Sequence, residues 1–113
     1  MAQWKLVTRH GSDVKRDTFD DLDAAITAME ERVKDIRRGG PLREVSAIRD
    51  YKPGQQVNAR LELSAGGVLR RRVAGIDLMG DGSLVPYAGV VQKQPLEPRD
   101  GESPFDAVRE SLT

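Results

Sequence analysis

One stripe of apolar residues constrains the fold more than any other feature of the chain: Leu22, Ala25, Ile26, Met29, Val33 and Ile36 recur at spacings of three and four. That repeat belongs to an α-helix with one face turned to a core. The ends carry matching signals. Asp20 or Thr18 can cap the start, because a side-chain oxygen there accepts a backbone N–H that has no partner within the helix. Asp21 and Asp23 fall in the first turn and Lys34, Arg37 and Arg38 in the last, so each sign of charge sits at the end of the macrodipole that favours it. Gly39-Gly40-Pro41 stops the helix, since Gly tolerates positive φ and Pro cannot continue the ladder.

Such a helix needs an apolar surface to lie on, and the flanking segments supply one. Trp4, Leu6 and Thr8 alternate with Lys5, Val7 and Arg9, and a second run, Val14 to Phe19, follows His10-Gly11-Ser12-Asp13. Two such runs across a short Gly-containing connection predict a β-hairpin. Beyond the helix, Leu42 to Tyr51 reads as a third strand ending at Lys52-Pro53-Gly54-Gln55. Val57, Ala59, Leu61 and Leu63 then alternate strictly with Asn58, Arg60, Glu62 and Ser64, the pattern of a sheet with one wet face. Val68 to Met79 follows the turn Ala65-Gly66-Gly67. Gly80-Asp81-Gly82-Ser83 suits a type I′ hairpin turn. Leu84 to Val91 closes the set, and its Pro86, which lacks a ladder donor, argues for an edge position.

The expected fold class is therefore α+β: an antiparallel β-sheet, made of an N-terminal hairpin plus a β-meander, packed on one long amphipathic helix. Residues 1–94 form a single α+β domain in this reading. Residues 95–113 form a linker and a short C-terminal helix, announced by Ser103 at the cap, Pro104 at the first helical position and Asp106 at the third. Phe105, Val108 and Leu112 line one face of that helix, which is too short to stand alone. It docks either on its own sheet or on a partner.

Composition narrows the function classes. Leu, Ile, Val and Phe make 27 of 113 residues, above the fraction of about 20% below which chains tend to stay disordered. With no cysteine, disulfides, thiolate metal sites and cysteine nucleophiles are excluded. The residues from Met1 to Lys5 carry no long apolar run and no stretch of 18 apolar residues occurs, so neither a signal peptide nor a membrane span is expected, and residence is expected to be cytoplasmic.

No motif points to catalysis, a cofactor or a metal. His10 is the only histidine; pairing with Asp13 would give a base and its orienting group, but the sequence places no nucleophile beside them. Asp77, Asp81 and Ser83 lack the late bidentate Glu of a calcium loop. Gly39-Gly40 and Gly66-Gly67 are isolated pairs, neither set between a strand and a helix as a phosphate loop requires.

Charge is the remaining signal. The net charge is zero, yet Arg43 to Gly75 holds seven basic and three acidic residues while Pro95 to Thr113 holds two basic and five acidic. Arg70 and Arg72 share one strand face. If Arg60 of the neighbouring strand joins them, Arg60, Arg70 and Arg72 form a candidate binding face for phosphate. Phe105, Val108 and Leu112 form a candidate partner-docking stripe. The apolar run from Val85 to Val91 on an edge strand would support a homodimer by sheet extension. The leading expectation is a non-catalytic interaction domain, self-associating or presenting a sheet face or the C-terminal helix to a protein partner. A nucleic-acid-binding module using the arginine face is the first alternative, disfavoured by few aromatics and zero net charge. A small-molecule-binding or catalytic domain without a recognisable motif is the second.

Overall fold

The hairpin forms first along the chain, and its register sets the rest. In the computed structural model, which describes residues 3–39, 57–66, 71–89 and 93–113, strand β1 (Trp4–His10) pairs antiparallel with β2 (Asp13–Phe19), from Trp4↔Phe19 to His10↔Asp13. The connection is Gly11-Ser12 alone. Positive φ is confined to Gly11, at 63°, the pattern of a type II′ turn whose twist matches that of the strands.

Helix α1 (Leu22–Arg38) follows at once. Its cap is Asp21, whose carboxylate accepts from Ala24 N at 2.7 Å, in place of Asp20 or Thr18. The chain then supplies β3 (Val57–Ala65), β4 (Arg72–Met79), β5 (Leu84–Ala88), the two-residue β6 (Gln94–Pro95) and helix α2 (Pro104–Leu112). The six strands form one antiparallel sheet in the order β2-β1-β3-β4-β5-β6. This is the α+β class expected from the sequence. The strand anticipated over Leu42 to Tyr51 lies outside the described residues.

One turn and one edge differ from expectation. Between β4 and β5 only Gly82 has positive φ, at 89°, so a type I′ turn, which needs two such residues, is not formed. Gly82 N instead donates to Met79 O, and Asp81 Oδ1 accepts from Ser83 N and Ser83 Oγ. Those bonds also hold the Asp81 carboxyl below its ordinary pKa. Nor is β5 an edge: β4 pairs on one side, β6 on the other, and Pro86 O accepts from Leu96 N. Among the described residues the edges are β2 and β6.

Registry places Leu6 opposite Leu63 and Leu63 opposite Ala74, with Thr8, Leu61 and Ile76 in the next row. Both helices cover this face. Ala25, Ile26, Met29 and Val33 of α1 and Val108 and Leu112 of α2 join it in one core. That core crosses the boundary expected at residue 94. Arg109 of α2 pairs with Asp23 of α1, tying the helices side by side. No helix among the described residues covers the other face, nor is any long and apolar enough to cross a membrane.

Candidate functional site

The arginine face does not assemble from the residues that suggested it. Arg60 pairs with Asp77 on β4, whereas Arg72 stands opposite Ala65. Ala65 is of the same strand parity as Leu61 and Leu63, so Arg72 belongs to the helix side and Arg60 to the helix-free side. Their bonds agree. Arg72 Nη1 donates to Leu112 O at 3.1 Å, a cation on the carbonyl end of α2 where the macrodipole favours it. Arg60 grips Asp77 through Nε at 2.6 Å and Nη2 at 3.0 Å. Arg70 lies outside the described residues. The candidate docking stripe is also taken: Val108 and Leu112 are fully buried and Phe105 packs half-buried against the same core.

On the helix-free face the polar groups around Tyr87 satisfy one another, while Lys5, Arg9 and Arg16 of β1 and β2 stand exposed on the same side. Glu62, Gly75 and Tyr87 stand in one row across β3, β4 and β5. Gly75 has no side chain, so Tyr87 lies across it and donates to Glu62 Oε1 at 3.0 Å. A Cβ on Gly75 would meet Tyr87 Oη at 2.6 Å. Arg60 stands over the ring at 5.3 Å and Lys93 at 5.4 Å from its centroid. Lys93 also pairs with Glu62 at 3.0 Å. Two cations and two carboxylates thus cancel around a buried phenol. Burial, reinforced by the Glu62 carboxylate, pushes that phenol above its ordinary pKa.

The opposite end of the sheet is different. Among the described residues β2 is paired only with β1. It runs seven residues, DVKRDTF, without Pro, Gly or bulge. A two-residue hairpin closes on a hydrogen-bonded pair, here His10–Asp13, and bonded and non-bonded pairs then alternate. The backbone groups of Asp13, Lys15, Asp17 and Phe19 therefore serve β1. Those of Val14, Arg16 and Thr18 face the open edge. By contrast, β6 is two residues long and contains Pro95, features that close an edge to pairing.

Helix α1 lies beside this edge, against β1 and β2, and leaves two cavities between itself and the strand. The first, about 230 Å³, is lined by Thr8, His10, Asp13, Lys15, Arg32, Asp35 and Ile36. The second, about 300 Å³, is lined by residues including Asp17, Phe19, Ala28, Glu31 and Arg32. Arg32, held to Asp17 by an ion pair, stands in the wall of both. Thr8 is 6% exposed, and its hydroxyl has no hydrogen-bond partner among the described residues. A buried hydroxyl left unpaired in a cavity wall is uncommon, and it suits a polar group brought from outside.

The cavities meet β2 at Asp13 and Lys15 and then at Asp17, Thr18 and Phe19, all but Thr18 of one parity of the strand. Alternate side chains of an added extended segment would fall at that repeat, roughly 6.6 Å apart. Sequence reasoning placed the open edge at β5 and missed this groove. The signal present was the unbroken β2 run with exposed Val14 and interspersed charge, without Pro. Comparison with known proteins brings no match: no protein-family model, curated protein or solved structure matches the chain.

Proposed function

We propose that the protein is a non-catalytic interaction domain that receives an extended segment of a protein partner along the open edge of β2, as an added strand. The observation that carries this reading is the coincidence of a regular seven-residue strand, its outer edge open among the described residues, with two cavities beside it. In strand addition the main chain supplies affinity and pockets for every second side chain supply specificity. The other surfaces considered are occupied: α2 by the core, Arg60 by Asp77, Arg72 by the end of α2. Interspersed Asp13, Lys15, Arg16 and Asp17 deter indiscriminate pairing, as charges on natural edges do, and leave pairing open to a strand of complementary charge.

Selection of displayed random peptides on the immobilised full chain tests this. Bound peptides should protect the amides of Val14, Arg16 and Thr18 from hydrogen exchange. They should lose at least about tenfold in affinity to Thr18→Pro, whose missing N–H faces the edge and not β1. Peptides that bind Thr18→Pro as well as wild type would overturn the reading.

A further inference from the structure

We infer that the segment received at this edge is β2 of a second copy of the chain, paired antiparallel about a two-fold axis at Arg16. The inference rests on the edge reading above and names its partner. A two-fold axis perpendicular to an antiparallel sheet sets a residue on the axis opposite itself, and its neighbours pair outward in opposite order. Centred on Arg16, the register uses the whole strand. Asp13 faces the partner's Phe19, Val14 the partner's Thr18, and Lys15 the partner's Asp17, each pair occurring twice.

Charge selects this register. Lys15 and Asp17 lie on the helix side of β2, the side of their cross-strand partners Thr8 and Leu6. Opposite charges directly across a ladder attract and like charges repel. Centring on Lys15 would set Asp13 against the partner's Asp17. Centring on Asp17 would set that carboxylate against its own copy. A centre at Val14 keeps opposite charges but overlaps only Asp13 to Lys15.

The Arg16 register also matches the cavities. The partner's Lys15 falls beside Asp17, where Glu31 and Asp35 line the same cavity and leave it acidic even with Arg32 counted. The partner's Phe19, whose side chain packs against its own core, falls beside Asp13, next to the cavity that Ile36 borders. On the other face the partner's Thr18 covers Val14, one of two large hydrophobics left exposed among the described residues, at 38%. The hydrogen-bonding positions agree as well, since Val14, Arg16 and Thr18 are the residues whose backbone faces outward. One contact opposes the pairing: Arg16 meets the partner's Arg16 at the axis.

Sedimentation equilibrium of charge-exchange variants tests the register. Lys15→Asp alone and Asp17→Lys alone each convert two attractive pairs into repulsive ones, so each should weaken self-association at least about tenfold. Mixed one to one they restore both pairs. The introduced aspartate of one chain then faces the introduced lysine of the other, while the first chain's native Asp17 faces the second chain's native Lys15. The heterodimer should return to within about threefold of wild type. Arg16→Thr removes the opposing contact and should tighten the dimer. If Asp17→Lys, having lost its bond to Arg32, does not fold by circular dichroism, the order of association wild type, Lys15→Ala, Lys15→Asp decides instead.

A mixture of folded variants that stays monomeric overturns the register. A wild type still monomeric on the order of 1 mM, with Thr18→Pro-sensitive peptide binding intact, overturns the second copy and leaves the edge reading standing. A dimer that survives Thr18→Pro runs through another surface and overturns the pairing at β2, and peptides equally indifferent to Thr18→Pro overturn the edge reading with it.

Discussion

Tyr87 is the residue whose position says most about the helix-free face. It is only 3% exposed, although no helix of the described residues covers its face, because Gly75 makes room beneath it and Arg60 and Lys93 stand over it. The sequence displayed Tyr87 in a strand but not the bare position next to it, which only registry reveals. Its pKa is raised, first by burial and then by the Glu62 carboxylate, and the sign of the consequence follows. In the unfolded chain the phenol ionises near pH 10, while the folded chain holds the proton beyond that. Its stabilising contribution is thus fully present below about pH 10 and is lost as pH rises above it. Tyr87→Phe, which gives up the bond to Glu62, should cost about 1 kcal/mol at neutral pH. Urea unfolding between about pH 7 and 11 should show the gap between wild type and variant closing above about pH 10. A gap that stays constant would contradict the buried, Glu62-bonded phenol.

Among the elements, α1 and α2 were legible for different reasons. The stripe from Leu22 to Ile36 has one period and one possible meaning, and the observed helix spans Leu22–Arg38. Ser103, Pro104 and Asp106 formed the capping box their spacing announced, with Asp106 N donating to Ser103 Oγ and Ser103 N to Asp106 Oδ2. What α2 docks on was not legible, because an apolar stripe reads the same whether it meets its own sheet or another protein. The structure gives Leu112 1% and Val108 0% exposure, with Arg72 holding the Leu112 carbonyl. Leu112→Ala should therefore destabilise the whole fold by about 2–5 kcal/mol, measured as a shift of the urea midpoint with unchanged slope. A variant within about 0.5 kcal/mol of wild type would mean that α2 is an appendage. The edge strand was misassigned for a physical reason too. Pro86 was read as excluding a neighbour, but a proline forbids only the bond its own nitrogen would donate, and its carbonyl accepts from Leu96.

At the scale of the molecule, the described residues set two helices side by side on one face of a six-stranded sheet, which leaves its edges and its other face for partners. On the other face Arg60 and Lys93 are matched by Asp77 and Glu62, Lys5, Arg9 and Arg16 are exposed, and β6 is too short to template a strand, so the proposed strand addition falls to β2. Alternation and turn residues made the sheet legible. Strand order did not follow from them, since β3 returns to pair with β1 only after α1 crosses the sheet, and that return leaves β2 at the margin. An equilibrium consequence separates a functional edge from an idle one. A dimer formed through β2 binds folded chains and not unfolded ones, so the melting temperature must rise with concentration. For a domain of this size each tenfold rise should add roughly a few degrees. Thr18→Pro should melt at a temperature independent of concentration, because its fold is kept while its edge cannot pair. Calorimetry over about two decades of concentration reads both curves. If wild type and Thr18→Pro rise in parallel, the association runs through a surface other than β2; if both are flat, the second-copy pairing fails while strand addition by a different partner remains open to the peptide test.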